Sequence, residues 1–242
     1  MNNVFLLTNF AAITAGIVTT IGIYAINRYA KWGQKNVVYF MSFAAGVLIS
    51  VSFMHIIPES FKMNEYAPIA LLAGFLFLYL LNRFLSMFRC RKKNCTSSIH
   101  GLIPVIGIGI HSFVDGIIYT VTFNVSIFTG VLAAIGMVLH EFPEGIISYL
   151  LLIKTNYKKK KASIYAFIAA AITTPLGAII SWPLINDLTK PMLGLLLSFS
   201  AGSLIYVGAT HLLPEIQKKE KRFSLLALFV GIIVAIIIIL SH

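Results

Sequence analysis

The sequence predicts an all-α integral membrane protein, a single polytopic domain over residues 1–242 with eight transmembrane helices. Hydrophobic residues make up 58% of the chain and charged residues 11%, whereas about a quarter of the residues in soluble domains are charged. Basic residues cluster in alternate connections between apolar segments, and one apolar segment recurs later in the chain. These observations exclude an ordinary soluble domain.

Eight apolar segments are each long enough to cross a bilayer, which takes about 20 residues. They lie at residues 4–26, 37–57, 66–88, 101–123, 126–153, 162–184, 192–213 and 223–241. We interpret the first as a membrane span and not as a cleavable signal peptide, because residues 1–9 contain no basic residue.

Basic residues alternate between the connections. The odd-numbered connections, together with Arg83 in the end of the third span, hold 17 of the 19 Lys and Arg residues, including the run 158–161. The positive-inside rule therefore predicts that these connections are cytoplasmic and that both termini are extracytoplasmic. The net charge of +11 is spread over four connections without interleaved aromatic residues, which favours contact with anionic lipid over a nucleic-acid partner.

An internal repeat links the second and seventh spans. Residues 42–60 and 198–216 are identical at ten of nineteen positions without a gap. The two copies have opposite predicted orientations, which is typical of the inverted repeats of secondary transporters. We therefore expect a 3+2+3 arrangement, with spans 1–3 and 6–8 as related halves around spans 4 and 5.

The fourth and fifth spans carry a second, shorter repeat. Residues 111–117 (HSFVDGI) recur 29 positions later as residues 140–146 (HEFPEGI). Both copies lie inside apolar runs, where an Asp costs at least about 2.5 kcal/mol at mid-bilayer. In each copy a histidine and a carboxylate are four residues apart, on one helical face. Together they predict a divalent-metal site formed by the following residues: His111, Asp115, His140, Glu141 and Glu144.

Nitrogen and carboxylate ligands suit borderline cations, and the absence of a thiolate in this set disfavours copper(I). Zinc is the first expectation, followed by iron(II) or manganese(II).

These motifs resemble the ZIP family of divalent-metal transporters (the Zrt- and Irt-like proteins), in pattern its short bacterial GufA-like branch. The span-five motif His-Glu-x-Pro-Glu-Gly is matched in full by residues 140–145, and His111, Asp115 and Gly116 match span four. The resemblance covers essentially the whole chain. It implies a homodimer in the cell membrane that moves zinc, iron, manganese or cadmium toward the cytoplasm as transported substrates, without a cofactor. It also implies a paired metal site between spans 4, 5 and 6.

Two residues depart from the family pattern. Ser112 stands where relatives have Asn, and Thr174 stands where many have Glu before the span-six proline. We therefore expect one dominant site built from the five residues above. Ser112 and Thr174 are candidates for a weak secondary metal position.

Other polar residues have two interpretations each. His55 and Glu59 lie at the end of span 2, and His211 and Glu215 lie at the end of span 7. These residues are either ordinary helix-end residues beside a proline or metal ligands at the entrance and exit of the pathway. Residues Cys90, Cys95 and His100 in the third connection either bind released metal or have no such role.

Two other functions compete with that of a carrier. A channel-like conductor of the same metals has the same sequence features. An intramembrane metallohydrolase is disfavoured, because a zinc-peptidase helix needs a second histidine where this chain has Glu144, and Pro143 interrupts the helix between the ligands. We expect no enzyme.

Overall fold

The computed structural model describes residues 3–87, 98–217, 221 and 223–240, and this part of the chain is all-helical without a β-strand. The predicted helical fold class is confirmed. We number the helices in chain order: α1 Asn3–Arg28, α2 over residues 30–63, α3 Ala67–Met87, α4 Ser98–Val125, α5 Ile127–Lys154, α6 Lys159–Ile185, α7 over residues 190–217 and α8 Ser224–Leu240.

Seven of the described helices, α1 to α7, are long and apolar enough to cross a membrane. The remaining helix, α8, is apolar but has only 17 residues. A 17-residue helix is about 26 Å long, slightly less than the thickness of the hydrocarbon core.

Three helices contain a single π-helical turn. These turns are Ser52–Ile56 in α2, Phe167–Ile172 in α6 and Val207–Leu212 in α7. The turns of α2 and α7 lie at matching positions of the repeat, because residue 52 corresponds to residue 208. A π turn inside an α-helix is frequently found at a functional site.

Small residues face the interior of the molecule, as the first helix illustrates. The buried face of α1 consists mainly of Thr, Ala and Gly residues at helical spacing, from Thr8 to Gly22. Its exposed face carries large apolar side chains such as Phe10 and Ile17. Small residues let helices approach closely where no hydrophobic effect drives them together, and large apolar residues suit contact with lipid.

The helices pack in related pairs. Helix α1 packs on α5 and α4 on α6, while α2 packs on α8 and α3 on α7. Helices α4 and α5 also contact each other, and α2 contacts α5. The repeat matches α1 with α6, α2 with α7, α3 with α8 and α4 with α5 in the sequence-based arrangement. Under this matching the α1–α5 contact corresponds to the α6–α4 contact, and the α2–α8 contact corresponds to the α7–α3 contact. Helix α1 also packs directly on α6, so that α1, α5, α4 and α6 form a closed group of four helices.

Candidate metal centre

The two histidine–carboxylate motifs meet where α4 and α5 pack together. His140 Nε2 lies 3.0 Å from Asp115 Oδ2, and His111 Nε2 lies 3.2 Å from Glu144 Oε1. Each histidine therefore contacts the carboxylate of the opposite helix. The imidazole ring centroids are 5.7 Å apart. The structure thus brings together the side chains that the repeat predicted, with Glu141 beside them.

The five side chains form two overlapping groups of possible metal ligands. In each of the groups His111–His140–Glu144 and Asp115–His140–Glu141, one ligand atom per residue lies within 4.8 Å of the others. His140 is common to both groups. A cation bound by either group would therefore be held by residues of both α4 and α5.

The group is buried and has more acidic than basic members. Asp115, Glu141 and Glu144 are at most 3% exposed, and His111 is the most accessible member, with 12% of its side chain exposed. Three ionised carboxylates exceed the charge of two imidazoles even if both imidazoles are protonated. Asp115 Oδ1 and His140 Nδ1 are buried without a hydrogen-bond partner in the described residues. Buried polar atoms are normally paired, so these atoms fit a site for a cation.

Glu141 is held by helices on both sides of the α4–α5 pair. The Thr19 hydroxyl of α1 donates to Glu141 Oε2 at 2.6 Å, and the Thr174 hydroxyl of α6 donates to Oε1 at 2.9 Å. All three residues are fully buried. Sequence reasoning missed Thr19, because nothing in the pattern of α1 distinguishes it from other threonines there.

Ser112 and Thr174, the candidates for a secondary position, contact different carboxylates. The Ser112 hydroxyl lies 3.3 Å from Glu144 Oε2 and 3.0 Å from the carbonyl oxygen of Ile108. Thr174 contacts Glu141. Each hydroxyl is therefore placed beside a different group of candidate ligands.

Close helix approach at two glycines brings the threonines to the site. A Cβ on Gly145 of α5 would collide with the carbonyl oxygen of Thr19, and a Cβ on Gly116 of α4 would collide with that of Thr174. Both glycines directly follow the last carboxylate of their motif. The repeated glycine thus sets the distance between the motif helices and their flanking helices α1 and α6.

His55 and Glu59 lie at a pocket of about 650 Å³ between the end of α2 and the start of α5. His55 Nε2 is 3.0 Å from the hydroxyl of Thr129, and Glu59 pairs with Lys62 at 3.4 Å. Ser126 caps α5 by accepting a hydrogen bond from the Thr129 backbone amide. The sequence singled out His55 and Glu59 but not Thr129, which links His55 to α5.

Several predicted positions fall outside the described part of the structure. Cys90 and Cys95 lie in the segment that is not described, and so do the side chains of His100, His211 and Glu215. Their metal-binding roles stay predictions.

Comparison with known families identifies the chain at the level of its family. The family described as "ZIP Zinc transporter" matches residues 3–102 and 90–239. The chain belongs to the ZIP family. The resemblance seen in the sequence motifs is confirmed, and with it a multi-pass membrane protein of a transporter family.

Individual relatives are similar to this chain, two of them over most of their own length. Zinc transporter ZupT of Clostridium perfringens is 28% identical, over 97% of this chain and 95% of that protein. Zinc transporter ZupT of Streptococcus mutans is 27% identical, over 90% of this chain and 89% of that protein. Protein zntA of Dictyostelium discoideum is 37% identical over 52% of this chain, which spans 26% of that longer protein.

Proposed function

We propose that this ZIP-family protein is a transporter that moves divalent transition-metal ions, zinc before iron(II) or manganese(II), toward the cytoplasm. The ion would bind between α4 and α5 at the groups His111–His140–Glu144 and Asp115–His140–Glu141. The observation that carries the proposal is the burial of three carboxylates and two imidazoles in two groups, in each of which the ligand atoms lie within 4.8 Å of one another.

The charge of the site favours a divalent cation over a monovalent one or a proton alone. With neutral imidazoles, the carboxylates of Asp115, Glu141 and Glu144 carry three negative charges in a buried volume. Burying a charge without a partner is expensive, so a doubly charged ion bound by either group offsets much of this cost. Imidazole nitrogen and carboxylate oxygen are ligands that zinc, iron(II) and manganese(II) accept.

We further propose one dominant ion per chain. Ser112 and Thr174 each donate toward a carboxylate of the site, so they add hydrogen bonds there and no negative charge. A second divalent ion would have to share His140, which belongs to both ligand groups. Elemental analysis of purified protein should find about one tightly bound ion per chain, and two would contradict this stoichiometry.

The proposed architecture is eight spans in two inverted halves. The repeat of residues 42–60 at 198–216 and the paired contacts of α1–α5 with α6–α4 support it. We propose that α8 also crosses the bilayer, since about 17 residues is the lower limit for a span. Both termini would then be extracytoplasmic, in the cell membrane.

The proposed path enters from the pocket at His55 and Glu59. Thr129, which contacts His55, precedes His140 by eleven residues in α5. At 1.5 Å per residue the pocket would lie about 16 Å from the ligand groups along that helix. His211 and Glu215 would serve as the equivalent ligands at the cytoplasmic end.

Metal uptake into proteoliposomes tests the proposed function. Purified protein should give saturable zinc uptake, with iron(II), manganese(II) and cadmium(II) competing. Uptake that rises linearly with metal concentration would favour a channel-like conductor instead. If the metal flux does not exceed that of protein-free liposomes, both the carrier and the channel-like conductor are contradicted.

The ZIP resemblance also implies a homodimer. Size-exclusion chromatography with light scattering would measure the protein mass in detergent, and the mass of a single 26.7 kDa chain would contradict it.

A further inference from the structure

Thr19 and Thr174 hold one carboxylate from two sides. Thr19 donates to Oε2 of Glu141 at 2.6 Å and Thr174 donates to Oε1 at 2.9 Å. Donors on both oxygens fix the plane of a carboxylate, because rotation about its last bond would break both hydrogen bonds. We refer to Thr19 and Thr174 together as the hydroxyl clasp.

The two threonines occupy equivalent positions in α1 and α6. Residues 11–22 and 166–177 are identical at six of twelve positions without a gap. The identical pairs include Thr19 with Thr174 and Gly22 with Gly177. Each threonine also lies against the glycine that follows a motif carboxylate, Gly145 for Thr19 and Gly116 for Thr174. The clasp is therefore built by both halves of the chain.

The neighbouring threonines behave in the usual way for a membrane helix. The Thr20 hydroxyl donates to the Gly16 carbonyl at 2.7 Å, and Thr173 donates to the Ala169 carbonyl at 2.7 Å. Thr19 also lies 3.0 Å from the Ala15 carbonyl, but its shorter contact is to the carboxylate. A hydroxyl has one proton, and a bond to a charged acceptor is stronger than one to a neutral carbonyl.

We propose that Thr19 is a positioning residue for the transported ion, and that the hydroxyl clasp orients Glu141 for metal binding. The inference rests on the proposed function. Held in this way, Glu141 keeps an oxygen within 4.8 Å of the ligand atoms of Asp115 and His140. The remaining lone pairs of the carboxylate can then bind the ion without a change of the side-chain rotamer. Hydrogen-bonded partners of metal ligands are typically worth about 10–100-fold in metal affinity.

Zinc titration of purified protein tests this role without depending on transport. Thr19→Val keeps the side-chain shape but removes the hydroxyl, and we expect zinc to bind about 10–100-fold more weakly. Thr174→Val should have a similar effect, because it frees the other oxygen of Glu141. The double variant should lose less than the product of the two single effects, since the second removal acts on a carboxylate that is already mobile. Thr19→Ser restores the hydroxyl and should restore most of the affinity.

Thr20→Val and Thr173→Val are matched controls, because each removes a hydroxyl from the adjacent position of the same helix. Both should bind zinc like the wild-type protein. The inference would be overturned if Thr19→Val bound zinc as tightly as Thr20→Val does. It would also be overturned if Thr19→Ser did not recover affinity, because Thr19 would then act through its packing and not through its hydroxyl. If Thr19→Val does not fold, the zinc affinities of Thr174→Val, Thr173→Val and Thr174→Ser test the hydroxyl clasp by the same criteria. A wild-type protein that binds no zinc would instead overturn the proposed function.

Discussion

His140 is the side chain that both ligand groups share. We expect His140→Ala to abolish saturable metal uptake, because neither group keeps its three ligands. Glu141→Ala and Glu144→Ala each leave one group intact and should retain measurable uptake at lower affinity. Vesicle uptake at several zinc concentrations would separate these effects.

Asp187 provides a matched control for these variants. Its carboxylate lies in an exposed turn and accepts a hydrogen bond from Asn186. Asp187→Ala should transport like the wild-type protein. Uptake by His140→Ala at the wild-type level would show that the ions do not pass between α4 and α5.

The same ligands predict a pH dependence. Metal binds neutral imidazole and ionised carboxylate, so protons compete with it. Lowering the pH from 7.5 to 5.5 on the side that presents metal should weaken the apparent affinity, since both imidazoles must be free of protons before they can bind the ion. An apparent affinity that does not change over this pH range would argue against histidine ligands. The maximal rate must be measured separately, because proton coupling could change it in the opposite direction.

The candidate ligands could be predicted from the sequence, whereas their hydroxyl partners could not. Ionisable residues inside apolar runs stand out, and the motif repeat at 111–117 and 140–146 indicates that they belong together. Threonines in membrane helices usually bond to their own backbone, as Thr20 does. Thr19 differs only through its neighbour in α5, and this contact spans 122 positions of the chain.

Helix approach around the site depends on the glycine that ends each motif. Gly145→Ala and Gly116→Ala would place a Cβ against the carbonyl oxygens of Thr19 and Thr174. We expect each substitution to destabilise the protein by about 1–3 kcal/mol, as overpacking of a close contact does. Both should also weaken zinc binding, because moving α1 or α6 displaces a donor to Glu141.

Gly109→Ala is the control for these substitutions, since its Cβ would lie 3.0 Å from the Ala169 carbonyl oxygen in the same α4–α6 contact. It should lower the thermal unfolding temperature less than Gly116→Ala. Equal unfolding temperatures for these two variants would contradict the close approach at Gly116.

At the level of elements, hydropathy predicted that the chain is helical, and the structure confirms it. It did not predict the π turns in α2, α6 and α7, because one extra residue in a turn leaves hydropathy almost unchanged. The eighth span remains a prediction, since α8 has 17 residues and lies at the limit of a membrane-crossing length.

Across the whole molecule, the distribution of basic residues predicts the orientation. Of the 19 Lys and Arg residues, 17 lie in odd-numbered connections or, in the case of Arg83, in the span end beside one. In a variant with Cys90 and Cys95 replaced by Ser, a cysteine introduced at Lys160 should react with a membrane-impermeant reagent only after the cytoplasmic side is exposed. A cysteine at Asp187, in the sixth connection, should react in intact cells. Reaction of the Lys160 position from outside would contradict the proposed topology.

The π turn at Ser52–Ile56 has a consequence for comparing this chain with its relatives. A π turn contains one more residue than the α-helical turn it replaces, and one residue corresponds to about 100° of rotation around the helix. Unless a homologous helix without this turn is one residue shorter there, an alignment without a gap matches the faces of the two helices on only one side of the turn. Residues 42–60 match 198–216 without a gap across both turns, so α2 and α7 carry the same additional residue. Deleting Phe53 alone would therefore remove the additional residue, so that α2 continues as a regular α-helix and Glu59 stays at the pocket that it shares with Thr129.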